Sequence, residues 1–340
     1  MIADVLSDVL RAVRLTGAVY FDFSLTSPWV AEAPPSRDIA GIVMPGAQRV
    51  IEYHLIAKGT AWGHLLGAKP ICLKEGDLII FPQGDPHVMA SQPGLRAAPN
   101  LGLFARSSTP LPLVYDVGGG GPERAQVICG FLGLDDRPFN PLLAALPQMI
   151  HLPGTGPEAR AGWLTTILNI AVLESGRSRA GGENVLARLS ELMFVEAVRR
   201  HLESLPETHV GWLAGLRDPL VGKALAVLHG APKEPWTVER LGREVGTSRS
   251  VLAQRFAELV GQPPMQYLAL WRMQLASRLL CDGQGVAAVA DAVGYESEAA
   301  FSRAFKKLVG EAPALWRRRI STGATSAPVP ISSVAAPLSP

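Results

Sequence analysis

Apolar residues follow two different spacings along the chain, which predict a strand-rich first part and a helical second part. Up to residue 150 the apolar segments are short, and glycine and proline separate them, as in β-sandwiches and barrels. The pattern predicts strands over 18–25, 50–56, 62–66, 70–73 and 78–81, and a helix over 2–15. Residues 1–150 are therefore expected to form one β-domain.

Residues 151–214 have apolar side chains at helical spacing, which predicts helices over 161–174 and 184–205. The second of these helices carries a stripe of large apolar side chains: Leu186, Leu189, Leu192, Met193, Val195 and Val198. Such a stripe fits either packing on the core of the same chain or a dimerisation helix between domains. The sequence leaves both interpretations open.

From residue 215 onward the chain contains a repeat, in which segment 237–267 aligns with segment 285–316. The matched positions are Leu241 with Val289, Val245 with Val293, Gly246 with Gly294, Phe256 with Phe305, Gly261 with Gly310, Pro264 with Pro313 and Tyr267 with Trp316. Each copy predicts a short helix, a glycine turn and a second helix with Ser248 or Ser297 as its N-cap. This outline is that of a helix-turn-helix, although a plain helical bundle shares it.

The segment between the two copies predicts a connecting helix over 265–280. Its length of about 16 residues corresponds to roughly 24 Å. A connector of this size can hold two recognition helices about one turn of DNA apart, near 34 Å. The spacing therefore favours DNA binding over a plain bundle.

The charge distribution agrees with this interpretation. The 340 residues carry a formal net charge of only +2, which taken alone argues against a nucleic-acid binder. Residues 215–340, however, hold 15 lysines and arginines against 10 acidic residues, whereas residues 1–150 hold 11 against 13 and residues 151–214 hold 6 against 7. The basic excess thus lies with the repeat.

Three scattered cysteines, Cys72, Cys129 and Cys281, form neither a disulfide framework nor a zinc pattern. Asp4 and Asp8 argue against a signal peptide, and the longest apolar run, 163–173, is too short to span a bilayer. We therefore expect a cytoplasmic protein with no membrane partner. The uncharged residues 321–340 predict a disordered tail.

The second copy contains a specific stretch, Gly294-Tyr295-Glu296-Ser297 followed by Phe301-Ser302-Arg303-Ala304-Phe305-Lys306-Lys307 and Trp316. With it, residues 215–320 resemble the DNA-binding domain of the AraC/XylS family of transcriptional regulators. The resemblance implies that the exposed N-terminal face of each second helix contacts bases and phosphates. The implied DNA-binding residues are Arg249, Ser250, Ala253, Gln254 and Arg255 in the first copy, and Ser297, Glu298, Ala299, Ser302, Arg303, Lys306 and Lys307 in the second.

Three of these residues limit the contacts that the resemblance implies. Ala253 and Ala299 are too short to hydrogen-bond a base and can touch only a thymine methyl group. Glu298 repels phosphate and can instead accept a hydrogen bond from a cytosine amino group. The second copy is also acidic near its start, at Asp291, Glu296 and Glu298, so the resemblance supports base contacts there less than in the first copy.

A second motif, Gly76-x5-Pro82-x-Gly84-x2-His87, is similar to the second motif of the cupin superfamily. Together with Ser27-Pro28-Trp29 and Tyr53-His54, it makes residues 5–150 resemble the cupin-like sensory domain of many AraC-type regulators. The resemblance implies a pocket for a small effector. Its candidate effector-binding residues are Tyr53, Trp62, His64 and His87.

A metal site is not expected in this domain. Cupin enzymes take a His-x-His pair and a glutamate from their first motif, and segment 53–64 shows neither. His87 is then a turn or pocket histidine. The alternative is a metal site built from His87, His54 or His64, and Cys129. No catalytic residue, metal or cofactor is therefore assigned.

The sequence thus predicts an α+β multidomain protein with a cupin-like β-barrel or sandwich followed by an all-α domain. Its expected parts are an effector-sensing domain (1–150), a helical linker or dimerisation segment (151–214), a double helix-turn-helix domain (215–320) and the tail (321–340). The expected function is sequence-specific DNA binding and transcriptional regulation under the control of a small effector, without enzyme activity. Double-stranded DNA and a second copy of the chain are the expected partners, and the family resemblance adds RNA polymerase.

Two other functions remain open at this point. One is a cupin metalloenzyme, a dioxygenase or isomerase, with an accessory helical domain. The other is an assembly module whose helices bind protein and not DNA. Whether a regulator of this kind activates or represses is also left open.

Overall fold

The structure is a computed structural model that describes residues 4–13, 15–47, 49–104, 111–134, 138–154, 164–176, 179–206 and 208–321. As predicted, the first part of the chain is rich in strands and the rest is helical. The strands are β1 (Thr16–Thr26), β2 (Val30–Ala33), β3 (Arg49–Lys58), β4 (Thr60–Leu65), β5 (Ile71–Lys74), β6 (Leu78–Phe81), β7 (His87–Ala90), β8 (Leu113–Gly118), β9 (Arg124–Leu134) and β10 (Ile150–Leu152). The predicted tail lies outside the described residues from residue 322 onward.

The strands form two sheets that face each other. The larger sheet has the order β10-β6-β3-β9-β1-β8, and the smaller one has the order β2-β7-β4-β5. Neighbours are antiparallel except β1 and β8, which are parallel. A cluster of buried apolar side chains that includes Phe21, Phe81 and Phe131 fills the space between the sheets. The result is a two-sheet domain with an internal core.

The helices surround and follow this domain. They are α1 (Val5–Ala12), α2 (Ser36–Val43), α3 (Pro141–Ala145), α4 (Leu164–Ser175), α5 (Gly182–Ser204), α6 (Trp212–Arg217), α7 (Pro219–Gly230), α8 (Val238–Val245), α9 (Arg249–Val260), α10 (Pro264–Cys281), α11 (Val286–Ala292), α12 (Glu298–Val309) and α13 (Pro313–Ser321). Among the described residues, none of these helices has both the length and the apolar character needed to cross a membrane.

Helix α5 packs on the outer face of the larger sheet. Four members of its apolar stripe, Leu186, Leu189, Met193 and Val198, are buried in the same core cluster as residues of β3 and β9. Leu192 is 45% exposed. Of the two interpretations of this stripe, packing on the core of its own chain therefore accounts for most of it.

Strand β3 is buried on both faces of the larger sheet. Its successive side chains point to opposite sides of the sheet, as in any strand. Glu52, His54 and Ile56 face the space between the sheets, whereas Tyr53 and Leu55 belong to the core on the helical side. One strand thus contacts both the interior of the β-domain and the helices outside it.

The two predicted helix-turn-helix units are α8–α9 and α11–α12, and α10 connects them. Ser248 Oγ accepts a hydrogen bond from the Val251 amide (3.3 Å), and Ser297 Oγ accepts one from the Ala300 amide (3.2 Å). Both serines are N-caps, as predicted. The turn glycines Gly246 and Gly294 have φ values of 83° and 80°. A Cβ on Gly294 would lie 2.3 Å from the Lys233 carbonyl oxygen, so only glycine fits there.

The two units have separate cores. Phe256 of the first unit and Trp271 of α10 belong to a buried cluster that continues through Val9 of α1 to Tyr53 of β3. Phe301 and Phe305 of the second unit and Trp316 of α13 belong to a smaller cluster with residues of α10 and α11. The first unit is therefore continuous with the β-domain, whereas the second is packed around its own core.

Candidate nucleic-acid interface and internal cavity

The exposed side of α9 carries charged and polar side chains that are held by partners within the chain. Arg249 Nε lies 3.0 Å from Glu239 Oε1, and Arg255 Nη2 lies 2.9 Å from Asp218 Oδ2. Gln254 Nε2 donates a hydrogen bond to Glu258 Oε1 at 2.8 Å. Contact with a nucleic acid by any of these three side chains would compete with an existing partner.

Helix α12 presents a different surface. Arg303, Lys306 and Lys307 are exposed, and no ion pair of theirs is found within the described part of the chain. Glu298 and Ala299 are exposed in the first turn of the helix, next to the N-cap Ser297. This face offers three positive charges to an anionic partner without breaking an internal pair.

The β-domain encloses a cavity of about 380 Å³ between its two sheets. Most of its lining is apolar, from residues that include Phe21, Phe23, Trp29, Met89, Leu103, Phe104 and Phe131. One end is polar and is formed by Glu52, His54, His87 and Cys129. A mostly apolar cavity with a few convergent polar groups is typical of a small-molecule site.

Comparisons with known proteins agree with this architecture. Residues 4–203 match a cupin family, and residues 241–319 match a helix-turn-helix domain family. A putative AraC-like transcription regulator of Streptomyces lividans is 34% identical to this chain over 276 residues, which are 80% of this chain and 88% of the relative. The HTH-type transcriptional regulator AlkR of Acinetobacter baylyi is 31% identical over 280 residues, which are 80% and 89% of the two chains.

The chain belongs to the AraC/XylS family of transcriptional regulators. It is a sequence-specific DNA-binding regulator with an N-terminal cupin domain, as the sequence predicts. The solved DNA-binding domain of AdpA in complex with a target DNA is 31% identical to this AraC-type regulator. That match covers 31% of this chain and 95% of the AdpA chain at a TM-score of 0.30, which is too low to support an argument about the whole fold.

Only one of the four candidate effector-binding residues lines the cavity of this AraC-type regulator, namely His87. Tyr53 faces α5, where its hydroxyl lies 2.6 Å from Ser190 Oγ. Trp62 and His64 alternate in β4 with Ala61 and Gly63, which face the interior. The prediction selected aromatic and histidine residues near the cupin motif, but the sequence does not reveal which face of each strand points inward.

Hydrogen bonds at the polar end assign the protons of its histidines. His87 Nδ1 lies 3.0 Å from the Asp85 carbonyl oxygen, which can only accept, so Nδ1 carries the proton and Nε2 has a free lone pair. The Cys129 thiol, whose pKa is raised by burial, donates to His54 Nδ1 over 2.8 Å. His54 Nε2 then donates to His87 Nε2 over 2.7 Å.

Burial also sets the charge at this end of the cavity. It raises the pKa of Glu52 to about 8 and lowers the pKa of His87 to about 4. The two side chains are 3% and 1% exposed, and Glu52 Oε2 lies 3.8 Å from His87 Nε2. Near neutral pH the polar end of the cavity is therefore uncharged.

Glu52 is the residue that the sequence analysis missed. The search for a cupin-type glutamate covered segment 53–64, and Glu52 precedes it by one position. The available signal was the pair Glu52 and His54, two residues apart in a predicted strand, which places both side chains on one face. His54, by contrast, was part of the alternative metal site and does lie beside His87.

Proposed function

We propose that this regulator binds double-stranded DNA as a homodimer, with α9 and α12 in successive major-groove segments, and that a small effector in the cavity controls this binding. The observation that carries the proposal is the pair of helix-turn-helix units on one connecting helix of 18 residues. A helix of that length spans about 27 Å, which suits two recognition helices near one DNA turn apart.

The two recognition helices would contribute differently to DNA binding. Arg303, Lys306 and Lys307 have no ion pair among the residues that the structure describes. They suit phosphate contacts, which set affinity and register but carry little sequence information. Gln254 and Arg249 suit base edges, because their side chains can form bidentate hydrogen bonds to adenine and guanine. Their intramolecular partners would be exchanged for base atoms when the complex forms.

The cavity suggests the class of effector. A volume of about 380 Å³ with an aromatic lining suits a compact, mostly apolar molecule. The polar end would bind one hydrogen-bonding group of that molecule. Tyr53 lies between Glu52 and His54 in β3 and contacts Ser190 of α5, so a shift of β3 on binding would reach the helical segment directly.

The dimer would use apolar side chains that the chain leaves exposed on α4 and α5. Ile170 and Leu173 of α4 are 42% and 59% exposed, and Val185 and Leu192 of α5 are 44% and 45% exposed. Light scattering on size-exclusion chromatography tests this surface. Leu173→Ser together with Leu192→Ser should give monomers, whereas Val114→Ser, at an exposed apolar position on β8, should leave the dimer intact.

The central experiment measures binding of the purified full chain to DNA upstream of its own and flanking genes, over a range of salt concentrations. Binding should weaken as salt rises, because phosphate contacts release counterions. Lys307→Ala should weaken binding evenly across sequences, and Gln254→Ala should change the sequence preference. The proposal fails if no salt-dependent binding occurs, or if Gln254→Ala weakens binding to every sequence equally.

The proposal does not include an enzyme activity. Relatives that match 80% of this chain are named transcription regulators. The double helix-turn-helix explains the basic excess of residues 215–340, which an accessory domain of a cupin enzyme would not need. An assembly module without DNA binding is disfavoured for the same reason, and the salt-dependence experiment distinguishes it.

A further inference from the structure

The polar end of the cavity brings three metal-ligating atoms together. Glu52 offers a carboxylate oxygen, and His54 and His87 each offer a ring nitrogen, and these atoms all lie within 4.8 Å of one another. Two of the residues come from one face of β3 in the larger sheet, and His87 begins β7 in the smaller sheet. The group therefore bridges the two sheets from inside the domain.

Glu52 supplies a second, independent observation. The side chain is only 3% exposed, and its buried Oε1 atom has no hydrogen-bond partner in the described structure. A buried carboxyl oxygen without a partner costs free energy that a folded protein normally avoids. The oxygen belongs to a residue that lines the cavity, beside the two imidazoles. This oxygen is therefore available to a ligand at the polar end of the cavity.

We propose that Glu52, His54 and His87 bind one divalent transition-metal ion at the polar end of the cavity. Two imidazoles and one carboxylate are a ligand set that first-row divalent metals take up, and hard cations such as Mg²⁺ favour all-oxygen sites instead. The ion would replace the hydrogen bond between His54 Nε2 and His87 Nε2 and would bind the unpartnered oxygen of Glu52, whose carboxyl proton is released to solvent on binding. This proposal concerns the ion alone and holds whether or not the cavity takes an effector.

The surrounding hydrogen bonds fit this role. The bond from His87 Nδ1–H to the Asp85 carbonyl leaves Nε2 without a proton, which is the arrangement that commonly orients a metal-binding histidine. For His54, coordination moves its single ring proton from Nε2 to Nδ1, where Cys129 Sγ becomes the acceptor. The ring stays neutral in this exchange, and the thiol keeps its own proton.

The ligand set differs from the alternative that includes His64 and Cys129. His64 does not line the cavity, and Cys129 Sγ contacts His54 Nδ1, on the opposite side of the ring from the nitrogen that faces His87. Cys129 is therefore a positioning residue for His54, and the carboxylate of Glu52 takes the third position.

Metal binding is tested on the full chain after treatment with a chelator, by titration with Zn²⁺ in a calorimeter and with Co²⁺ in an absorption spectrometer. We expect one ion per chain and Co²⁺ bands without a thiolate charge-transfer band. Glu52→Gln and His87→Gln should each lower the affinity at least about tenfold. His209→Gln, which removes a histidine outside the cavity, should leave the affinity unchanged.

The possible results distinguish a failure of metal binding from an error in the ligand set. Absence of stoichiometric binding of either ion to the wild-type chain overturns the proposal, even if a variant does not fold. A thiolate band, or loss of binding in Cys129→Ser or His64→Gln with Glu52→Gln unaffected, overturns the ligand set. Circular dichroism of each metal-free variant verifies its fold. Since no DNA is present, failure here leaves the proposed DNA binding untouched.

Discussion

The two helix-turn-helix units have the same outline and the same caps, but they differ in what surrounds them. Phe256 of the first unit is part of a core that reaches α1 and β3, and its surface charges are paired with other side chains. Phe305 of the second unit lies in a separate small core, and α12 presents three exposed positive charges for which the described part of the chain shows no ion pair. The comparison indicates that the first unit is joined to the cupin domain through a shared core, whereas the second has a core of its own.

Hydrogen bonds at the junction strengthen this contrast. Gln274 of α10 is buried, donates to the Ala12 carbonyl at 3.2 Å and accepts from the Phe139 amide at 3.0 Å. Arg278 donates to the Arg11 carbonyl at 3.0 Å. The connecting helix is thus attached to the cupin domain through Gln274 and Arg278, which lie one helical turn apart. A change in that domain would reach the first unit directly, and the second through α10 and through the contacts of Asp291 and Gly294 with Lys233.

The largest effect should come from truncating one aromatic residue in each core. Both Phe256→Ala and Phe305→Ala remove a fully buried ring, which typically costs about 3–5 kcal/mol. Phe305→Ala should expose the amides of α11–α13 to hydrogen exchange and leave the β-domain protected. Phe256→Ala should weaken protection in α1 and β3 as well. Equal loss of protection over the whole chain in both variants would contradict separate cores.

The next effect concerns acid stability at the junction. Burial lowers the pKa of His229 to about 3, and its Nε2 accepts a hydrogen bond from the Tyr267 hydroxyl at 2.8 Å. Asp8 of α1 is the nearest charged group, with Oδ2 3.9 Å from His229 Nδ1. As the pH falls, His229 of the unfolded chain takes up a proton near pH 6.5, whereas His229 of the folded chain does so only near pH 3. Stability contributed by neutral His229 is therefore present above pH 6.5 and is lost as pH falls toward 3.

Because of this lowered pKa, the free energy of unfolding should decrease by about 2 kcal/mol between pH 7 and pH 5. Chemical unfolding of wild type at both pH values should show this decline in the main transition, and His229→Gln should reduce it. The amide oxygen of glutamine can still accept from Tyr267, which keeps the variant comparable. An equally steep decline in His229→Gln would assign the acid sensitivity to other groups.

The sequence predicted the parts of this comparison that depend on local rules. Helix periodicity, the caps Ser248 and Ser297, and the turn glycines are set by residues within a few positions of one another. The separation of the two cores was not predictable, because it depends on α1, more than 220 residues away from Phe256, packing against α7 and α10. The pairing of Arg255 with Asp218 is hidden for the same reason.

The cavity shows the same limit. The cupin motif correctly directed attention to His87, because proline and glycine fix the turn that precedes it. Placing Glu52 beside His87 requires the pairing of β3 within one sheet and the packing of the other sheet over it, which no local pattern encodes. Without the packing of the two sheets, the face on which Tyr53 lies could not be predicted. Its side chain points away from the cavity and contacts Ser190 of α5.

A smaller effect should distinguish free from paired cations on the two recognition helices. Arg303→Ala should lower the slope of log affinity against log salt by about 0.9, the value for one phosphate contact. Arg255→Ala should change the slope less, because Asp218 already holds that guanidinium. Fluorescence anisotropy with labelled DNA measures both slopes. If both substitutions lower the slope by the same amount, Arg255 is as available to phosphate as Arg303, and its ion pair with Asp218 does not restrain it.

The smallest effect tests whether an internal ion pair restrains the first unit. Glu239→Gln removes the partner of Arg249 on the exposed surface, so Arg249 should reach DNA without competition. We expect DNA affinity to rise about two- to fivefold, since exposed ion pairs contribute little free energy.

Glu244→Gln is the matched control, because it removes the same charge from the same helix and Glu244 has no ion pair with Arg249 in the described structure. The gain from Glu239→Gln should exceed that of the control and should vanish in an Arg249→Ala background. A gain that persists without Arg249 would mean that the carboxylate acts by repelling phosphate and that the pair does not restrain the first unit.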